Sequence, residues 1–135
     1  MTRVILYLGA FLGTLLISGC ATLQGSTEEV VAKRADAYWQ AQISGDWERA
    51  YRFIAPGWRE VNSLERYRRQ RTGGVVQRTD ARLIEVVCPD EDRCTAAFSV
   101  AYRGYIPGFG EQEGRRRLSE SWIRADGNWW HLPER

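Results

Sequence analysis

A short corner between two amphipathic helices constrains this chain more than any other feature. Residues 37–60 read AYWQAQISGDWERAYRFIAPGWRE, with Gly45-Asp46 near the centre. Glycine readily adopts the left-handed conformation that ends many helices, and an aspartate at the next position can cap the free amides of a second helix. The sequence therefore predicts two helices that meet at this corner, the second of them ending at Pro56-Gly57.

Both helices carry a single apolar face. Residues at helical spacing mark it in the first helix (Val31, Ala35, Tyr38, Trp39 and Gln42) and in the second (Trp47, Ala50, Tyr51 and Ile54). A third short helix is expected from Ser63 to about Gln70, ended by Gly73-Gly74. Because so short a corner cannot bury both faces between the two helices, they need a large apolar surface to lie on.

The second half of the chain supplies that surface as strands. From Val75 the apolar period becomes two. Ala81 and Leu83 fall on one face and Ile84 and Val86 on the other, which indicates a bulge or a strand buried on both sides. The next strand alternates cleanly, with Cys94, Ala96, Phe98, Val100 and Tyr102 on one face.

The end of the chain predicts a hairpin with a defined register. Ile106–Gly110 is expected to be a loop at the rim of the sheet, Arg116–Ala125 a third strand and Asn128–Leu132 a fourth, joined by the two-residue turn Asp126-Gly127. The turn places Trp122 opposite His131. One face then carries Leu118, Glu120, Trp122, Trp129 and His131, and the other carries Ser119, Ser121, Ile123, Trp130 and Leu132. One face should cover the helices, and the other should meet a partner or stay partly exposed.

The amino terminus has the features of an export signal. Arg3 precedes an apolar run, Val4–Ile17, of about 21 Å as a helix, which is too short for a permanent membrane span. Ile17-Ser18-Gly19-Cys20 resembles the bacterial lipobox, in which the cysteine is lipidated and becomes the first mature residue. The alternative is an ordinary secretion signal beside a cysteine.

The lipobox resemblance implies a domain organisation and a location. Residues 1–19 are the signal peptide, 20–27 a lipidated tether, and 28–135 a single domain. Acyl chains on Cys20 would anchor the protein in the membrane. Ala21, rather than an aspartate, follows the cysteine. By resemblance to sorted lipoproteins this favours the outer membrane, facing the periplasm, and leaves the outer leaflet open.

The two remaining cysteines point to a disulfide. Cys88 and Cys94 flank a polar turn between two strand-like runs, in a compartment that is expected to be oxidising. A cross-strand disulfide or a pair of reduced buried thiols both fit the pattern. Because the only histidine is far away in the sequence, no metal site and no cofactor are expected.

Charge gives little indication of a partner. The net charge is +2, and Lys33 is the only lysine among 19 basic residues. The clusters Arg66–Arg71 and Arg115–Arg117 could meet lipid phosphates or acidic polymers, or could be solvated arginines beside scattered acids. A nucleic-acid partner is not expected.

The order of these elements is similar to that of a known superfamily. Two helices with a Gly-Asp corner, a short helix and an antiparallel meander resemble the nuclear transport factor two-like superfamily, the cone-shaped α+β fold of ketosteroid isomerases and polyketide cyclases. The resemblance covers about Thr27 to Pro133. The residues that carry it are Tyr38-Trp39, Gly45-Asp46-Trp47, Ala50-Tyr51 and Asp126-Gly127-Asn128-Trp129. It implies helices packed on a curved antiparallel sheet, with a pocket between them.

The resemblance also suggests where a site would lie. Ketosteroid isomerases have a tyrosine at the position of Tyr38, but their general-base aspartate would fall near Asn62, an amide that cannot accept a proton; Glu60 is close by. Glu120 and His131 are the ionisable pair expected on the inner face. The aromatic residues expected to line a ligand pocket are Tyr38, Trp39, Tyr51, Tyr102, Trp122 and Trp129.

Three functions fit the sequence. The first is a non-enzymatic envelope lipoprotein whose apolar pocket binds a small molecule or a partner protein. The second is an isomerase, dehydratase or hydrolase that uses Glu120 and His131 with Tyr38 or Tyr102. The third is a structural envelope component that forms a homodimer through its sheet. A positioned base would distinguish the second from the others, and no motif surrounds Glu120.

Overall fold

A computed structural model describes residues 25–134, which form four helices followed by four strands. The predicted signal peptide, Cys20 and most of the predicted tether lie outside the described residues. Between residues 25 and 134, no helix is long and apolar enough to cross a membrane.

The predicted corner is present. Helix α1 (Thr27–Ile43) begins after Ser26, whose side chain accepts a hydrogen bond from the Glu29 amide. Gly45 adopts a φ of 74° and ends the turn. Helix α2 (Trp47–Arg52) follows, and the Asp46 carboxylate accepts from the Arg49 amide at 3.0 Å.

The end of the second helix was predicted wrongly. Helix α2 ends at Arg52, and Pro56-Gly57 begins a separate helix, α3 (Pro56–Val61). The His131 amide donates to the Phe53 carbonyl, and the Ala55 amide donates to the His131 carbonyl. These two backbone hydrogen bonds draw the segment against the last strand and interrupt the helix. Proline then suits the first turn of α3, where its missing N–H is not needed.

The remaining helix and the strands follow in the predicted order. Helix α4 (Leu64–Thr72) is capped by Ser63 and ends at Gly73. The strands are β1 (Val76–Asp90), β2 (Arg93–Ile106), β3 (Gly110–Ala125) and β4 (Asn128–Leu132), and they form one antiparallel sheet in that order. The protein thus has an α+β fold with helices packed on a four-stranded antiparallel sheet.

Strand β3 begins six residues earlier than predicted, at Gly110 instead of Arg116. Its added segment has little β propensity, but Glu111 and Glu113 both pair with Arg103 on β2. Opposite charges on neighbouring strands favour this pairing. The expected rim loop is therefore reduced to residues 107–109.

The predicted hairpin register is confirmed, since Trp122 pairs with His131 and Ala125 with Asn128. The expected irregularity in β1 is also present, as the register shifts between Leu83 and Glu85. We call the sheet face that carries Glu120 and His131 the inner face, because it packs against the helices, and the opposite one the outer face.

The core lies between the inner face and the helices. The five residues of the predicted α1 face are all buried there, as are four inner-face residues of β2: Val31, Ala35, Tyr38, Trp39 and Gln42, with Cys94, Ala96, Phe98 and Val100. The aromatic residues on α1 and the sheet thus fill the space in which the resemblance implies a pocket.

Candidate functional site

A buried polar cluster lies on the inner face where β3 pairs with β4. Glu120 is two residues before Trp122, which pairs with His131. The Nε2 atom of His131 is 3.8 Å from Oε1 of Glu120, and their side chains are 6% and 10% exposed. The sequence prediction that these two groups share the inner face is correct.

The imidazole of His131 is held on several sides. Its backbone N–H donates to the Phe53 carbonyl at 2.8 Å, and its carbonyl accepts from the Ala55 amide at 2.9 Å. Its ring stacks on Tyr38 with centroids 4.6 Å apart and is 5.6 Å from the ring of Trp122. The side chain is therefore fixed by its backbone and by aromatic packing.

Burial shifts both ionisable groups towards their neutral forms. It raises the pKa of Glu120 from 4.5 to about 8, although Arg71 and the indole groups of Trp39 and Trp122 act in the opposite direction. Burial and the charge of Arg71 lower the pKa of His131 from 6.5 to about 3. At pH 7 the pair is mainly a neutral carboxylic acid beside a neutral imidazole.

Several polar atoms of this cluster have no hydrogen-bond partner among the described residues. They are Oε2 of Glu120, Nδ1 of His131 and the Nε1 atoms of Trp39 and Trp122. The two indole groups are close enough to Glu120 to lower its pKa, but they lack the geometry of a hydrogen bond. Unsatisfied groups of this kind are uncommon in protein interiors.

The predicted pocket aromatics divide into two groups. Tyr38, Trp39 and Trp122 surround the polar cluster and are fully buried. The ring of Tyr38 meets Trp39 at 6.3 Å and Trp122 at 6.2 Å, edge to face. These three residues pack as core, and five surface cavities of about 330 to 800 Å³ are lined by other residues.

The other three predicted aromatics have separate contacts. The hydroxyl of Tyr51 donates to the Asn62 carbonyl at 2.6 Å. Tyr102 is half-buried, with the guanidinium of Arg116 5.7 Å from its ring centre. Trp129 is buried on β4.

Tyr67 belongs to the cluster, although it was not among the predicted site residues. It is buried, and its hydroxyl donates to the Tyr38 hydroxyl at 3.2 Å. Burial raises the pKa of both phenols. The sequence held a signal for this residue, because Tyr67 follows Leu64 by three positions on the inward face of the predicted helix.

A cavity of about 370 Å³ opens between the end of α1, the end of α4 and the start of β1. We call it the basic cavity, because Arg71 and Arg78 line it together with Gln42, Trp47 and Val76. Gln42 is 4% exposed, and its Oε1 atom has no hydrogen-bond partner among residues 25–134. The Nε atom of Arg78 is also buried and has no hydrogen-bond partner among these residues.

The sequence identified the basic cavity only in part. Arg71 lies four residues after the buried Tyr67, a spacing that puts both on one side of α4. Arg78 pairs with Tyr102 and so lies on the inner face. Ala81, three residues later, also faces inward, whereas regular alternation would put the two residues on opposite faces. A register shift between Arg78 and Asp80 produces this placement, and simple alternation would have put Arg78 outside.

The position suggested by ketosteroid isomerases has a structural role here. The Asn62 side chain donates to the Trp58 carbonyl at 2.9 Å at the end of α3. Glu60 is exposed. These contacts bring neither residue into the polar cluster.

The second predicted arginine cluster is paired within the chain. On the outer face, Arg115 pairs with Asp80 and Arg117 with Glu85. These contacts favour the interpretation of this cluster as arginines beside acids over a surface for acidic polymers.

The structure joins Cys88 and Cys94 as a disulfide. The two residues lie at the β1–β2 hairpin, where Val87 pairs with Thr95. This hairpin lies beside the start of α1, since Thr27 and Cys88 line one cavity. Within the described part of the chain, no group of three or more side chains could hold a metal ion.

Comparison with known proteins establishes the fold. No protein-family model and no curated protein matches the chain. The association domain of CaMKII from C. elegans aligns with a TM-score of 0.51 and 14% identity, over 76% of this chain and 88% of that domain. Helices on an antiparallel sheet are therefore shared with a solved domain.

Two bacterial structures are also similar. A protein of unknown function from Mycobacterium tuberculosis aligns with a TM-score of 0.52 and 14% identity, over 76% of this chain and 66% of that one. A SEC-C motif-containing protein from Psychrobacter arcticus aligns with a TM-score of 0.55 and 10% identity, over 82% of this chain and 63% of that one. The chain spans slightly less than two thirds of either protein. At these identities the likeness concerns the fold alone.

Proposed function

We propose that this protein is a lipid-anchored binding module of the bacterial envelope, which holds a small molecule in the basic cavity and catalyses no reaction. The observation that carries the proposal is the wall of this cavity. Two guanidinium groups, of Arg71 and Arg78, line it beside apolar side chains, and neither arginine belongs to an ion pair among residues 25–134.

Such groups favour a bound partner. Guanidinium groups bind anionic groups of a ligand through charge-assisted hydrogen bonds, and apolar side chains bury its apolar part. The volume of about 370 Å³ lies within the usual range for small-molecule sites. The proposal thus moves the site from the aromatic interior, which is filled, to the edge of the domain.

Membership of the nuclear transport factor two-like superfamily is part of the proposal. It is supported by the Gly45-Asp46 corner, by the turn at Asp126-Gly127 and by the fold shared with the CaMKII association domain. The superfamily resemblance gives a fold in which a ligand site between helices and sheet is expected.

The proposed anchor and the basic cavity lie at opposite ends of α1. A lipid on Cys20 would be tethered a few residues before Thr27, whereas the basic cavity includes Ile43, at the other end of the helix. Seventeen helical residues span about 25 Å. This separation supports an orientation in which the cavity faces away from the membrane, into the periplasm.

A second candidate function, an enzyme, is favoured by the polar cluster. A neutral carboxylic acid beside a neutral imidazole could donate and accept a proton at pH 7, and the hydroxyl of Tyr38 lies in the same interior. A substrate would first have to displace the rings of Tyr38 or Trp122 from the core. The binding module is therefore the better-supported proposal.

A cavity-filling variant tests the binding module. Thr72 is exposed at the end of α4 and lines the basic cavity, so Thr72→Trp should obstruct it. Gln40→Trp, at an exposed position on α1, is the matched control. The full lipoprotein in detergent would be screened by thermal unfolding against a library of small organic molecules.

Compounds that bind the cavity should stabilise the parent and the control and leave Thr72→Trp unchanged. At a hundred times its Kd, a ligand stabilises a protein by about 2.7 kcal/mol. If every stabilising compound acts equally on the parent and on Thr72→Trp, the proposed site is wrong. If the parent turns over a stabilising compound and Glu120→Gln abolishes this turnover, the result would instead support the enzyme.

A further inference from the structure

We infer that the basic cavity selects an organic carboxylate, whose charged group meets Arg71 and Arg78 and whose apolar part lies against Trp47 and Val76. This inference rests on the proposed function and adds the chemical class of the ligand. The charge of the cavity, the position of its two guanidinium groups and its apolar wall support it.

The cavity has an excess of positive charge. Two guanidinium groups line it, and no acidic residue does so within residues 25–134. Neither Arg71 nor Arg78 belongs to an ion pair among the described residues. On the outer face, by contrast, Arg103, Arg115 and Arg117 each pair with a carboxylate. An anion is therefore the partner that this cavity lacks.

Both guanidinium groups rest on aromatic rings. That of Arg71 lies 5.3 Å from the ring centre of Tyr67, and that of Arg78 lies 6.0 Å from the ring centre of Trp39. Because these rings are buried core residues, the stacking limits how far either arginine can move. Fixed guanidinium groups suit a planar carboxylate, which they can bind through two parallel hydrogen bonds.

The rest of the wall favours an organic anion over an inorganic one. Ile43, Trp47 and Val76 contribute apolar surface. Inorganic phosphate would leave the apolar surface exposed to water. A carboxylate attached to a small apolar group would cover it, and burial of each methylene contributes roughly 0.8 kcal/mol.

A neighbouring cavity supplies the control. Arg68 lies on the same helix as Arg71, but it lines a separate cavity of about 330 Å³ together with the acidic residues Asp46, Glu48 and Glu65. Its replacement removes the same charge from α4 without changing the basic cavity. Arg68→Gln is therefore the matched variant for Arg71→Gln and Arg78→Gln.

Titration calorimetry of the full lipoprotein in detergent would use three probes: benzoate, its uncharged analogue benzamide, and inorganic phosphate. We expect benzoate to bind at one site, and benzamide and phosphate to bind at least about tenfold more weakly, a difference of 1.4 kcal/mol. Arg71→Gln and Arg78→Gln should each weaken benzoate binding by about tenfold or more. Arg68→Gln should leave it unchanged. Thermal unfolding would show that each variant is folded.

The outcomes that overturn the inference differ from those that overturn the proposed function. Equal binding of benzamide and benzoate would refute the role of charge, and equal binding of phosphate would refute the organic class. Equal losses in the Arg68 and Arg71 variants would refute the assignment to this cavity. If benzoate fails to bind while Thr72→Trp still blocks other compounds, the proposed function stands and the carboxylate inference is wrong.

Discussion

Replacement of Glu120 by glutamine should change how stability depends on pH. The folded protein raises the pKa of Glu120 from 4.5 to about 8. Between these values the folded state binds a proton that the unfolded state has released. The stability that the protonated carboxyl confers is therefore fully present below pH 4.5 and is lost as pH rises to 8.

His131 acts in the opposite direction. Its pKa falls from 6.5 to about 3 on folding, so between these values the unfolded state binds the additional proton. The free energy of unfolding therefore decreases as pH falls from 6.5 to 3. From pH 4.5 to 6.5 the effects of Glu120 and His131 cancel, and the parent protein should have a plateau of stability there.

The magnitudes follow from the two pKa shifts. One pKa unit corresponds to about 1.4 kcal/mol, so the parent should lose about 2 kcal/mol between pH 6.5 and pH 8, where only Glu120 titrates differently in the two states. Glu120→Gln has no titrating carboxyl, so its stability should rise up to pH 6.5 and stay level above it. Relative to the parent, the variant should gain about 5 kcal/mol between pH 4.5 and pH 8.

Urea unfolding of the parent and the variant from pH 4 to pH 9 measures these differences. Glu60→Gln, at an exposed position on α3, is the control and should keep the parent's profile. If Glu120→Gln loses stability between pH 6.5 and pH 8 as the parent does, then Glu120 does not titrate in this range. The reasoning from its burial would then be wrong.

Two further predictions concern the cysteines. Cys20→Ser should move the protein from the membrane to the soluble periplasmic fraction, because it removes the site of the proposed lipid anchor. A variant that sediments with membranes as the parent does would contradict the lipobox resemblance. Replacing both Cys88 and Cys94 with serine should lower the free energy of unfolding by about 2 kcal/mol. The parent's intact mass should be two hydrogens below that of the reduced chain, and alkylation of both cysteines without a reductant would contradict the disulfide.

Local chemistry made part of the fold predictable. Gly45-Asp46 combines a helix-ending residue with a helix-capping one, so the corner depended on neighbouring residues alone. The Asp126-Gly127 turn fixed the register of β3 and β4, and with it the proximity of Trp122 and His131. Both features follow from backbone preferences within a few residues.

Features set by contacts between distant segments were not predictable in the same way. The end of α2 depends on hydrogen bonds to His131, almost 80 residues later. The length of β3 depends on its ion pairs with Arg103. The inward position of Arg78 depends on a register shift between β1 and β2. The composition of the basic cavity depends on the same shift. Patterns within one segment carry no information on these pairings.

The polar cluster and the basic cavity are connected through Arg71 and Arg78. Both guanidinium groups lower the pKa of Glu120, so they are close enough to interact with an ionised carboxylate there. While burial keeps Glu120 protonated, their charge is available to an anion in the cavity. A carboxylate bound beside them would repel a charge on Glu120 and raise its pKa further. By linkage, ionisation of Glu120 above pH 8 would weaken binding of that carboxylate. Ionisation of Glu120 in the aromatic interior and binding of an anion in the cavity would then oppose each other, because both involve the charges of Arg71 and Arg78. The positive charge of the cavity is therefore preserved while Glu120 is neutral.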